Sequence, residues 1–114
     1  MEIKGEDYQV AYDPETATLI CEGALRLRGA SGYEDIVKLF NEVADQKPSA
    51  ITLDLKGLRF LNSSGINALS KFVINVRNKK ACELVIRGTN QYPWQGKSLR
   101  NFQRLMPALK LELE

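Results

Sequence analysis

The chain has no histidine among its 114 residues, and this absence excludes more chemistry than any residue present suggests. Without imidazole there is no Ser-His-Asp or Cys-His relay, no histidine-bearing zinc centre and no imidazole pH switch. Cysteine is nearly as scarce. Cys21 and Cys82 are too few for a disulfide scaffold or a four-thiolate metal site. Both lie in apolar segments, where small buried thiols are expected. No apolar run approaches the roughly 18 residues of a membrane span. The start, Met1 to Asp7, carries acids where a secretory leader has base and then an apolar stretch. A cytoplasmic protein without membrane contact is expected, and nothing calls for a cofactor.

What is present is ordinary for a globular protein: 44% of residues are hydrophobic and 26% charged. The length predicts a single domain over residues 1–114 with one core. The net charge of +2 hides a division along the chain. From Met1 to Leu55, five Lys/Arg stand against eleven Asp/Glu; from Lys56 to Lys110, eleven Lys/Arg stand against Glu83 alone. Such asymmetry fits an acidic partner or nucleic acid. It also fits two halves that neutralise each other after folding.

Alternation of Tyr8, Val10 and Tyr12 predicts a first strand closed by Asp13-Pro14. Thr18 to Leu27 reads as a second, hairpin-linked to the first, with Gly23 marking a bulge. Ser31-Gly32-Tyr33-Glu34 has the spacing of a capping box, and Tyr33, Ile36, Val37, Phe40, Val43 and Ala44 follow at helical spacing. Ala50 to Leu55 suits an interior strand. Gly57 to Leu61 then leads into the polar turn Asn62-Ser63-Ser64-Gly65. A helix is expected from about Ile66 to Asn78, a buried strand at Leu84–Ile86, and a loop at Tyr92-Pro93-Trp94 with Trp94 as its anchor. A third helix carries Leu99, Phe102, Leu105, Met106 and Leu109 until Pro107 ends its regular part; an edge strand with Leu109, Leu111 and Leu113 closes the chain. The expected fold is α/β: a mixed four- to five-stranded sheet covered by about three helices. Gly96-Lys97-Ser98 ends like a phosphate-binding loop, but Gln91 stands where that loop needs glycine.

Ile51-Thr52-Leu53-Asp54-Leu55 followed by Asn62-Ser63-Ser64-Gly65-Ile66 resembles the signature of the STAS domain. That family includes bacterial anti-sigma factor antagonists and the cytoplasmic tails of sulfate transporters. Its pattern is an apolar strand, an aspartate, then Asp-Ser-Ser-Gly or Asp-Thr-Ser-Gly opening a helix. Asp54, Ser63, Ser64 and Gly65 match, and the element order agrees over nearly the whole chain. Asn62 departs from it, standing where the family usually has aspartate.

The resemblance implies a non-enzymatic, stand-alone regulator of the anti-sigma factor antagonist type. It implies phosphorylation at Ser64, the hydroxyl residue before the glycine, with Ser63 as the alternative. The implied partners are an anti-sigma-type serine kinase and an opposing metal-dependent serine phosphatase. Independently of the family, a helix N-terminus has unpaired N–H groups and the positive end of the dipole, so a phosphate there finds donors waiting. Asn62, Ser63 or Ser64 can serve as the cap. Asn62→Asp is expected to restore the family pattern and speed phosphorylation. The following helix shows an outer face poor in charge, Asn67, Ser70, Lys71, Asn75 and Asn78 with Ile74 off the core stripe. This face reads either as a protein-docking surface or as an ordinary polar one. Other readings are a basic-surface nucleic-acid binder, disfavoured because aromatics do not interleave the cations, and a constitutive scaffold without phosphorylation.

Overall fold

A computed structural model describes residues 1–114. In chain order the elements are β1 (Glu2–Lys4), β2 (Tyr8–Asp13), β3 (Thr18–Leu25), α1 (Gly29–Gly32), α2 (Glu34–Asp45) and β4 (Ala50–Asp54). There follow β5 (Leu58–Leu61), α3 (Ser63–Lys79), β6 (Glu83–Gly88), α4 (Pro93–Leu105) and β7 (Lys110–Leu113). The α/β class and mixed sheet are as expected, with seven strands rather than four or five and four helices rather than three. No helix is long and apolar enough to cross a membrane.

The sheet order is β1-β2-β3-β4-β6-β7, with β5 pairing β3. β1, β2 and β3 are antiparallel neighbours; β3-β4, β3-β5, β4-β6 and β6-β7 are parallel. Buried and more accessible residues alternate along β4, where Ile51 and Leu53 point into the core and Thr52 and Asp54 do not. Such alternation puts the core on one face of the sheet, under the helices.

β3 changes partner midway: Thr18 to Ile20 pair with β4, while Gly23 to Leu25 pair with β5. The register slips between Gly23 and Ala24, at the bulge that the sequence signals. Gly23 has φ +89°, and a Cβ there would run into the Asp7 carbonyl, so both conformation and space require glycine. From sequence alone β5 reads as a lead-in segment. Its four residues, with Leu58 and Leu61 buried and Arg59 and Phe60 exposed, are too short to show a strand period.

The structure departs from the sequence pattern at two further places. The capping box does not form: α2 starts at Glu34 with Tyr33 at its N-cap and no side-chain cap bond, and Ser31 lies in the separate turn α1. The tyrosine is drawn inward, 1% exposed, and the chain bends there to bury it. Tyr92-Pro93-Trp94 is not a loop but the start of α4, with Pro93 in its first turn, where a missing N–H costs nothing. Trp94 is an anchor nonetheless, its Nε1 donating to the Leu58 carbonyl at 3.1 Å.

Both cysteines are buried free thiols. Burial, then the charges of Asp54 and Glu22, push the Cys21 thiol up to about 12 from its ordinary 9.0. The folded state thus holds the thiol neutral while the unfolded chain ionises it. Stability from this group is therefore complete below about pH 9 and falls as pH rises toward 12, by at most about 1.4 kcal/mol per pH unit. Urea melts between pH 8 and 10.5 are expected to show Cys21→Val losing stability less steeply than the native chain. Equal slopes would contradict it.

Candidate functional site

Asn62, between β5 and α3, organises the turn that carries the two serines. It is the N-cap of α3, its Oδ1 accepting from the Gly65 N–H at 3.0 Å. The same oxygen accepts from the Tyr33 hydroxyl at 2.6 Å. Its amide Nδ2 donates to the Leu27 carbonyl at 2.8 Å. One side chain thus joins the end of β3, the start of α2 and the start of α3. Burial raises the Tyr33 hydroxyl above its ordinary ionisation range, keeping it a neutral donor.

The cap role therefore belongs to Asn62 and not to the serines, which occupy the first turn of a helix that begins three residues earlier than its apolar pattern. An N-terminal turn makes few apolar contacts, so side-chain periodicity cannot reveal it. Gly65 is buried beneath the turn. A Cβ at this position would collide with Leu61 and stand 2.7 Å from the Tyr33 hydroxyl, so glycine is needed for close packing. Asp54, the other residue of the sequence signature, accepts from the Lys56 N–H at 3.0 Å and shapes the loop after β4.

That loop is fastened from the far side by α4. Gln95, the sole fully buried polar residue, donates to the carbonyls of Leu55 (2.7 Å) and Leu58 (2.9 Å) and accepts from the Thr89 N–H (2.8 Å). Tyr33, Trp94 and Gln95 hold the segments that position the serine turn, and sequence reasoning missed all three in that role. Trp94 and Gln95 bond main-chain atoms, most of them remote in sequence, and Tyr33 bonds the Asn62 side chain 29 residues away; no local pattern encodes such pairings.

The sequence-predicted residues divide. Ser63 is exposed, and Ser64 is half-buried. Ser64, Asn67 and Lys71 come together, with Ala30, Tyr33, Glu34, Val37 and Ala68, around a recess of about 250 Å³ between α1, α2 and α3. A second groove of about 410 Å³ continues from Val37, Ala68 and Lys71 toward Asp45 and Asn75. Asn75 reaches across to Asn41 of α2 (3.2 Å). Ser70 and Ile74 are not in either groove: the Ser70 hydroxyl donates to the Ile66 carbonyl at 2.8 Å, and Ile74 is half-buried.

The two charged halves of the sequence make little direct ion pairing with each other. Of the six ion pairs, Lys79–Asp45 (3.0 Å) alone joins residues before Leu55 to residues after it. α2 exposes Glu34, Asp35, Glu42 and Asp45, whereas α4 exposes Lys97, Arg100 and Arg104 and has no acid. Near the serine turn Arg26 lies over the Phe60 ring, 4.9 Å from its centroid, and Phe60 is 40% exposed. Among His, Cys, Asp and Glu side chains, no group of three or more is placed to hold a metal ion.

The fold recurs in solved structures of low sequence identity. A chain of the crystal structure of the diguanylate cyclase SiaD with its activator SiaC from Pseudomonas aeruginosa superposes with a TM-score of 0.73, at 14% identity, over 100% of this chain and 99% of that one. An anti-sigma factor antagonist from Mycobacterium paratuberculosis gives 0.62 at 16% identity, over 95% and 90%. No curated protein sequence matches the chain significantly. The STAS domain family model matches residues 30–106, which span most of α1, all of α2, the serine turn with α3, and all of α4. With that match and the Asn62-Ser63-Ser64-Gly65 turn at the head of α3, this chain is a member of the STAS domain family.

Proposed function

We propose that this domain is a non-enzymatic protein-binding switch of the partner-switching type, controlled by phosphorylation of Ser64. The observation that carries the reading is the position of Ser64. It lies in the first turn of α3, on an open recess, beside a cap that leaves its hydroxyl free of structural duty. An added phosphate brings about −1.5 to −2 charge to the positive end of a helix dipole, where it is held without refolding the domain. Docked partners at this turn then meet a different surface charge.

The partners are a serine kinase of the anti-sigma type and an opposing metal-dependent serine phosphatase, both cytoplasmic. The similarity in fold to an anti-sigma factor antagonist and to a chain in an enzyme–activator complex supports a protein partner. The outer face of α3, with Asn67, Ser70, Lys71 and Ile74, is the proposed docking surface. Exposed Arg28 and Arg59 flank the turn and steer an acidic partner toward it.

Ser64→Ala is expected to fold normally, within about 0.5 kcal/mol of the native chain, because Asn62 supplies the cap. It should retain the kinase in pull-downs from the native cell, whereas Ser64→Asp should lose it. Mass spectrometry after incubation with that kinase and ATP should place phosphate on Ser64. Phosphate on Ser63 alone moves the switch by one residue. Phosphate on neither, with partner binding unaffected by Ser64→Asp, leaves a constitutive scaffold.

A further inference from the structure

Lys71 is an exposed lysine with no carboxylate within 4.0 Å, although the recess it lines also contains Glu34. It follows Ser64 by seven residues, nearly two helical turns, so both project from the same side of α3. Their Cα atoms are separated by about 10.5 Å along the axis. Helical Cα–Cβ bonds lean toward the N-terminus, so the four-carbon stem of Lys71 starts out in the direction of Ser64 and can span much of that separation. Asn67 stands between them on the same recess wall. Glu34, at the first position of α2, faces the recess from the opposite side.

We infer that this recess is a built-in receptor for the phosphate of Ser64: Lys71 pairs with the phosphate, Asn67 bridges to it, and Glu34 is displaced from the recess. The inference rests on Ser64 as the modified residue and adds what the domain does with the charge. The ligand is a phosphomonoester dianion on the chain itself. The groups of opposite sign set the response. Before modification, Glu34 and Lys71 are the charged groups lining the recess. Tyr33, the third ionisable group there, is committed to Asn62. A dianion entering between them attracts the ammonium and repels the carboxylate, and the α1–α2 rim is the part that must yield. Phosphorylation thereby changes the shape of the groove continuing along α2 and α3, in addition to the charge of the turn.

The test needs no kinase. Phosphoserine is installed at position 64 during translation, and ³¹P NMR follows its second ionisation, which lies near pH 6 in free phosphoserine. A lysine pairing at an exposed site is worth about 0.2–0.7 in pKa. The folded native chain should therefore titrate below the folded Lys71→Gln chain by about that amount, and Glu34→Gln should lower the native value further. Both residues are exposed, so each variant keeps the fold. Phosphoserine at position 63 serves as the control and should not respond to Lys71→Gln. A Ser64 phosphate whose titration ignores Lys71→Gln, or a phosphate that unfolds the domain, overturns the inference. Absence of phosphate on Ser64 in cells would overturn the switch and leave these titrations untouched.

Discussion

Asn62→Asp, the change that brings the serine turn to the usual family pattern, is expected to destabilise this protein by about 1–3 kcal/mol. The Asn62 side chain uses both ends: Oδ1 accepts from Gly65 and Tyr33, and Nδ2 donates to Leu27. A carboxylate keeps the accepted bonds and caps α3 somewhat better, a gain of about 0.3–1 kcal/mol from the helix dipole. It has no donor for Leu27. The carbonyl there would face a second oxygen in a partly buried setting, and the loss of the bond with that repulsion outweighs the better cap. Urea denaturation at neutral pH should show a lower midpoint with unchanged slope. A midpoint equal to or above the native value would show that the Leu27 contact carries no stability. The same result bears on the kinase: any faster phosphorylation of Asn62→Asp must be separated from loosening of the turn, by comparing it with a Tyr33→Phe variant of matched stability.

Val73→Asp is expected to abolish cooperative folding. Val73 is 0% exposed on the inner face of α3 and belongs to the 26-residue apolar cluster that also contains Leu53, Leu84 and Ile86. No buried cation stands ready to pair with a carboxylate, because the buried residues are apolar apart from Gln95. A carboxyl group there costs several kcal/mol, as an unpaired charge when ionised and as an unsatisfied polar group when protonated. Domains of this size have about 5–15 kcal/mol in total. The expected observation is a circular dichroism melt without a sigmoidal transition. Val73→Ala, which leaves only a small cavity, should still melt cooperatively at a lower temperature. A cooperative melt of Val73→Asp near the native midpoint would mean that α3 presents another face to the sheet.

The recess that receives Ser64 shows where local pattern ends. Its serines, its glycine and its helix were legible because a helix start is a local event, written in small polar residues followed by an apolar stripe. The strand at Ala50–Asp54 was legible for a similar reason: an interior strand reads as a short apolar run between polar breaks. The false capping box at Ser31–Glu34 is the counterpart. Its spacing is right, but burial of Tyr33 with a bonded hydroxyl outweighs a cap of about 1 kcal/mol, and the chain turns before the box can close.

By itself the sequence determined the α/β class, the order of the principal elements, the apolar faces that make one core, and the serine turn that carries the family resemblance. Each depends on residues within one turn or one strand of each other. Only the tertiary structure decided that Asn62 is the joint of three segments, that Gln95 and Trp94 fasten the loop leading to it, and that β3 changes partners at Gly23. It also decided that Lys71 and Glu34 face one recess with Ser64. These contacts join positions as much as 40 residues apart, through main-chain carbonyls and through packing of one helix on another. A carbonyl is present at every residue and leaves no mark in the sequence; which one a side chain meets is settled only when the chain has closed on itself.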